Sequence, residues 1–210
     1  YWTENYYIPV TKDRETYDFR LDKSEKTAQA DHSFLQISDS EIGAKGVGAW
    51  IEHVRHTVKE TDPAFLIHTG DICYEDGLKQ HIKDMNTENM GVPVRYVIGN
   101  HDYVAGKYGE ALFESIYGPV WYSFDVGNVH YVVTPFQTGA DYASGYNKND
   151  RWKWLENDLA NVEPGMKVVM FNHTKAPSDD YVLSYGLKKL DLKEHDLIAV
   201  SYTHLRAHET

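Results

Sequence analysis

From Ser33 onward, short apolar runs alternate with longer segments of helical spacing. The apolar runs Phe34-Leu35-Gln36-Ile37, Phe65-Leu66-Ile67-His68, Val94-Arg95-Tyr96-Val97-Ile98 and 167–171 have the length of strands, and Leu197-Ile198-Ala199 begins one more. Between the first two, Val47, Trp50, Ile51, Val54 and Val58 recur at i, i+3, i+4, i+7 and i+11, which predicts a helix over 46–59. Further helices are expected over 75–88 and 108–116, and after Asp150, where Trp154, Leu155 and Leu159 form the apolar face. Residues 121–125 and 129–134 flank Gly127-Asn128, a hairpin signal. Strand–helix alternation with an inserted hairpin predicts α/β layers with helices outside the sheets.

The first thirty residues have a different texture. Residues 6–10 and 17–21 read as two short aromatic strands with a polar turn between them, and 22–31 as a polar linker. Two such strands bury little alone, so 1–30 are expected to be the end of a truncated β domain plus its linker. A carbohydrate- or protein-binding module led by this aromatic segment is a further reading for 1–30 only.

The chain has 210 residues, 41% of them hydrophobic and 25% charged, enough apolar material for a packed core. No apolar run approaches the length that spans a bilayer as a helix. Lys and Arg number 21 against 32 Asp and Glu, a net charge of −11. An acidic chain with no basic stripe is poorly suited to gripping nucleic-acid backbone over a wide face. If it acts on phosphates, the positive centre must come from elsewhere, and a metal is the obvious source. The single cysteine, Cys73, excludes an intrachain disulfide and a cysteine-built zinc site.

Successive strands end in chemistry. Ser38-Asp39-Ser40-Glu41 follows the first, Thr69-Gly70-Asp71-Ile72-Cys73-Tyr74 the second, Gly99-Asn100-His101-Asp102 the third, and Asn172-His173 a later one. Ligands of open α/β sheets bind beyond the carboxyl ends of the strands, so Asp39, Asp71, Asn100, His101 and His173 are expected to converge. Carboxylates, an amide oxygen and imidazoles form a mixed N/O set suited to Mn, Fe or Zn. Two metals about 3.5–4 Å apart can share one carboxylate, activate a water and neutralise phosphate oxygens. Gly70 and Gly99 allow sharp turns and close backbone approach.

This order of motifs resembles the calcineurin-like metallophosphoesterase family over roughly residues 33–199, and Gly-Asn-His-Asp at 99–102 is its most specific part. The resemblance implies a double β-sheet sandwich flanked by helices, incomplete at the C-terminus, with 31–199 as the catalytic domain. It implies two divalent or mixed-valence metal ions (Mn, Fe or Zn) and a small phosphorylated substrate. A metal-activated hydroxide would attack phosphorus. Asp39 would bind the first metal, Asp71 would bridge both, and Asn100 and His173 would bind the second. His101 would contact the phosphate and protonate the leaving oxygen, with Asp102 orienting its ring. The N-terminal segment resembles the end of the β domain that precedes the catalytic domain in a group of bacterial members, which implies export to the periplasm or beyond.

Three departures stand out. Glu41 occupies a position usually filled by His and is a candidate metal ligand. Tyr74 gives Gly-Asp-X-X-Tyr, which resembles the purple acid phosphatase version, where the tyrosine binds iron; Tyr74 is therefore a second candidate. The final Gly-His-X-His motif is absent, and its expected place follows Ala199. There, residues 200–210 resemble a translated sequencing adapter and are expected to be a non-native tail, so His204 and His208 are not counted as ligands. Loss of that motif defines the alternative reading: a catalytically incomplete remnant that binds metal weakly or not at all. Of the other histidines, His53 and His56 are expected in solvent and His68 as a hydrogen-bonded core residue. Cys73 and the tryptophans are expected in packing, while Tyr142 and Tyr146 lie in a loop that could border a substrate.

Overall fold

The computed structural model describes residues 10–17, 25–43, 45, 47–135, 148–174 and 197–202. Strand β1 (Phe34–Ile37), helix α1 (Gly48–Thr61) and β2 (Phe65–His68) form a parallel crossover unit. Helices α2 (Tyr74–Asp84) and α3 (Thr87–Met90) lead to β3 (Val94–Tyr96), which completes a three-stranded parallel sheet in the order β1-β2-β3. A 3-10 turn over Asn100–Asp102 and helix α4 (Ala111–Tyr117) follow. The hairpin β4 (Tyr122–Val126) and β5 (Val129–Val133), helix α5 (Lys148–Ala160), β6 (Lys167–Thr174) and β7 (Leu197–Tyr202) build a second sheet, ordered β4-β5-β6-β7.

Side-chain alternation on β2 shows how the layers pack. Phe65 and Ile67 point into a core shared with Val126, Tyr131, Val133, Val169 and Phe171 of the second sheet. Leu66 points the other way, into a cluster with Ile51, Val54, Val58 and Met90 of α1 and α3. One face of β2 therefore meets a sheet and the other meets helices, as a period of two dictates. Phe34 and Phe65 stack at 5.3 Å, and Phe34 meets Phe171 edge-on at 5.3 Å across the sandwich. Helix α5 covers the hairpin side of the second sheet, where Ser123 Oγ donates to Asp158 Oδ1 (2.6 Å) and Trp121 meets Trp154 edge-on. The double sandwich flanked by helices is the architecture expected.

Four local differences have physical causes. The single helix expected over 75–88 is two, because the Asn86 side chain accepts from the N–H of Asn89 and caps a new start. The helix expected over 108–116 begins at Ala111 and runs to Tyr117. Residues 25–28, expected in a linker, form a 3-10 turn docked on the hairpin: Gly127 N–H donates to the carbonyl of Thr27 at 2.8 Å. Strand β7 extends to Tyr202, three residues into the segment expected as a non-native tail; its backbone pairs with Asn172 and Thr174 of β6. The strands expected at 6–10 and 17–21 fall almost entirely outside the described residues. Tyr142, Tyr146, His204 and His208 also lie outside them.

Candidate metal centre

The loops after β1 and β2 are held by a continuation of their ladder. Asp39 N–H donates to the carbonyl of Gly70 (2.9 Å), Glu41 N–H to that of Asp71 (3.0 Å) and Ile42 N–H to that of Ile72 (2.7 Å). These loops also carry strain. Five of the six non-glycine residues with positive φ among the described residues are Asp39, Glu41, Asp71, Cys73 and Tyr74. Such conformations cost on the order of 1–3 kcal/mol each and gather at functional sites.

Close approach explains the two glycines. A Cβ on Gly99 would lie 2.1 Å from Asp71 N and 2.3 Å from Asp71 Oδ1. A Cβ on Gly70 would lie 2.7 Å from the Gly99 backbone and 2.8 Å from His173 Nδ1. Only residues without side chains let the second and third motifs stack this tightly.

Asp71 is the hub. Its Oδ1 accepts the N–H of His101 at 3.0 Å. Its Oδ2 lies 3.3 Å from His173 Nε2 and 3.5 Å from His101 Nδ1. Burial alone would raise the Asp71 carboxyl pKa. The His173 hydrogen bond, the His101 amide and the two imidazoles outweigh burial and hold it below its ordinary value. His173 shows the converse: burial lowers its pKa, while Asp71, the Thr69 carbonyl and Asp39 together leave it raised. The Nδ1–H of His173 donates to the carbonyl of Thr69 at 2.8 Å, which turns Nε2 toward the carboxylates. That is the outer-shell arrangement usual for a metal-binding histidine.

Two donor sets share Asp71. Asp39, Asp71 and His173 place one ligand atom each within 4.8 Å of one another, and so do Glu41, Asp71 and His101. His173 therefore stands with Asp39, whereas the resemblance assigned them to different metals. Ser38 Oγ donates to Asp39 Oδ2. Glu41, the unusual residue of the first motif, faces His101 Nδ1 at 3.5 Å. Asn100 is exposed on the turn that carries His101.

One expected contact differs. Asp102 does not clamp the His101 ring. It is buried, and its Oδ1 accepts from Cys73 N–H (2.9 Å) while Oδ2 accepts from Gly99 N–H (2.8 Å). It rivets the second motif to the third, and burial pushes its carboxyl up to about 6. Tyr74 is exposed, and its ring lies nearly parallel to that of His101, with centroids 5.6 Å apart and planes inclined at 14°.

Neighbouring residues fall as expected. His68 is buried; its Nδ1 accepts from Gly70 N–H at 3.2 Å, so its Nε2–H donates to Ser40 Oγ at 2.9 Å. Cys73 is buried, and burial with Glu41, Asp102 and Asp71 nearby pushes its thiol up to about 11, which leaves it protonated and inert. His53 and His56 are exposed on α1. Sequence reasoning missed His130. It bridges Asp125 (2.6 Å) on β4 and Asp158 (3.0 Å) on α5; the available sequence signal was the Gly127-Asn128 hairpin, which sets Asp125 opposite His130.

The donor chemistry fits divalent cations. Among the described residues no Lys or Arg pairs with Asp39, Glu41 or Asp71; the partners of Glu41 and Asp71 are imidazoles, and that of Asp39 is the Ser38 hydroxyl. His101 Nδ1 is buried without a hydrogen-bond partner.

Residues 32–209 match the calcineurin-like phosphoesterase family, and the chain belongs to it. Solved structures similar to the chain include a dimetal phosphatase from Danio rerio, at 15% identity and a TM-score of 0.46, over 82% of this chain and 69% of that one. No curated protein matches the chain.

Proposed function

We propose that this chain is a hydrolase of phosphate esters that works with two divalent cations, with 31–199 as its catalytic unit. The observation that supports the reading is the shared use of Asp71 by two donor sets. Asp39, Asp71 and His173 would hold one ion, and Asp71 and Glu41 the other, with Asn100 exposed beside them. Bound there, the cations would neutralise phosphate oxygens and lower the pKa of a water.

The chain's own residues supply the rest. His173 is pinned by the Thr69 carbonyl and keeps Nε2 on the carboxylates. Asp102 and the two glycines fix the spacing between motifs. His101, half-exposed over the site, would touch the phosphate and give a proton to the leaving oxygen. Glu41 and Asp71 face its Nδ1, and this is the positioning first ascribed to Asp102.

The test is metal stoichiometry by elemental analysis together with turnover of phenyl phosphate and its diester, on the full chain and on Asp71→Asn. Two ions per wild-type chain are expected. Loss of the shared carboxylate should release both and lower turnover by more than about 100-fold, the loss that outer-shell changes alone can reach. Circular dichroism should stay unchanged. A wild-type chain that binds no metal and turns over neither ester would overturn the reading in favour of the remnant.

A further inference from the structure

Tyr74 has no assigned part in the reading above, yet its setting is unusual. It is one of only two exposed large hydrophobic residues among the described residues, at 61% exposure. The other, Val10, lies in the N-terminal stretch, far along the chain from the motifs. Tyr74 also has φ 46°, a conformation that a bulky residue adopts at a cost. Neither exposure nor strain is explained by packing.

Its ring does have a partner. It lies nearly parallel to the imidazole of His101, at a centroid separation typical of offset stacking. His101 in turn sits against Asp71 and Glu41. Tyr74 is also the first residue of α2, so the backbone that fixes it is continuous with the loop carrying Asp71. An aromatic surface thus begins at His101, beside the shared carboxylate, and extends outward over a solvent-facing ring.

We propose that Tyr74 and His101 form a stacking platform for a planar aromatic leaving group, so that the substrates of this site are aryl phosphate esters. This rests on the phosphoesterase reading, because the platform is useful only beside bound phosphate. A tetrahedral phosphoryl group against the carboxylate-held cations would leave its ester substituent over the tyrosine. An aryl group there gains a stacked face, whereas a small alkyl group gains little. The same placement gives Tyr74 a reason to be exposed and strained that metal ligation does not, since a ligand would be turned inward.

The experiment compares two non-hydrolysable probes with the same head group, phenylphosphonate and methylphosphonate. Both are titrated calorimetrically into the full chain with saturating manganese. Wild type should bind the phenyl probe more tightly by roughly five- to tenfold. In Tyr74→Ala the ratio of the two affinities should fall to about one, and in Tyr74→Phe it should stay at the wild-type value. A wild-type ratio of one, or a ratio that survives Tyr74→Ala, overturns the platform and leaves the phosphoesterase reading standing. Manganese release in both variants makes Tyr74 a metal ligand and also overturns the platform. Failure of wild type to bind either phosphonate removes the phosphate site itself, and the platform with it.

Discussion

His173 Nε2 lies 3.3 Å from Asp71 Oδ2, and this contact ties the two sheets together. Asp71 follows β2 of the three-stranded sheet, and His173 is on β6 of the four-stranded sheet. His173→Ala strips a buried carboxylate of its closest imidazole. Breaking a buried charged pair from one side costs about 3–5 kcal/mol. The metal-free variant should lose stability on that scale in urea unfolding, and its manganese affinity should fall. Wild-type stability would show that the pair contributes nothing.

His68 makes its hydrogen bonds to neighbours of the proposed ligands, and so ties two ligand loops together. It accepts from Gly70 and donates to Ser40, the neighbours of Asp71 and Asp39. His68→Leu keeps the bulk and removes both bonds, leaving the buried Gly70 N–H without its partner. The expected cost is about 1–3 kcal/mol in chemical unfolding. Metal affinity should fall by about 10–100-fold, as for an outer-shell partner. A stability loss without any change in metal affinity would reduce His68 to a packing residue.

The His130 clamp predicts a pH dependence away from the metal centre. Burial lowers the His130 pKa, but Asp158 and Asp125 outweigh it, and the net shift is upward. A histidine whose folded pKa is raised binds its proton more tightly in the fold than in the unfolded chain. Its contribution is complete below the ordinary imidazole value of about 6.5 and disappears as pH rises through the folded value. The difference in melting temperature between wild type and His130→Gln should therefore be larger at about pH 6 than at about pH 9. A difference that is constant across this range would remove the protonated clamp.

Much of this was legible in the sequence, for reasons that differ by residue. The short apolar run at 65–68 and the helical spacing of Ile51, Val54 and Val58 are local signals, and they placed β2 and α1 correctly. The motif residues were legible because each follows a strand, so their convergence is a matter of topology. The break before α3 was missed although its cause, Asn86 as a cap, is local; the continuing helical pattern concealed it. Asp102 was misjudged for a different reason. One of its two partners, Gly99, lies within the motif, but the other, Cys73, lies 29 residues away, and nothing in Gly-Asn-His-Asp reveals a contact with the preceding motif. The His130 clamp was hidden only in part: Asp125 faces His130 across the hairpin, five residues away, whereas Asp158 comes from a helix 28 residues on.

The division of donors between the layers has a consequence for assembly. Glu41, Asp71 and His101 all follow strands of the first sheet, so that sheet and its crossovers are enough to bring them together. Asp39 and Asp71 gain His173 only when the second sheet docks. One set is thus a property of a single layer, and the other records that the sandwich has closed.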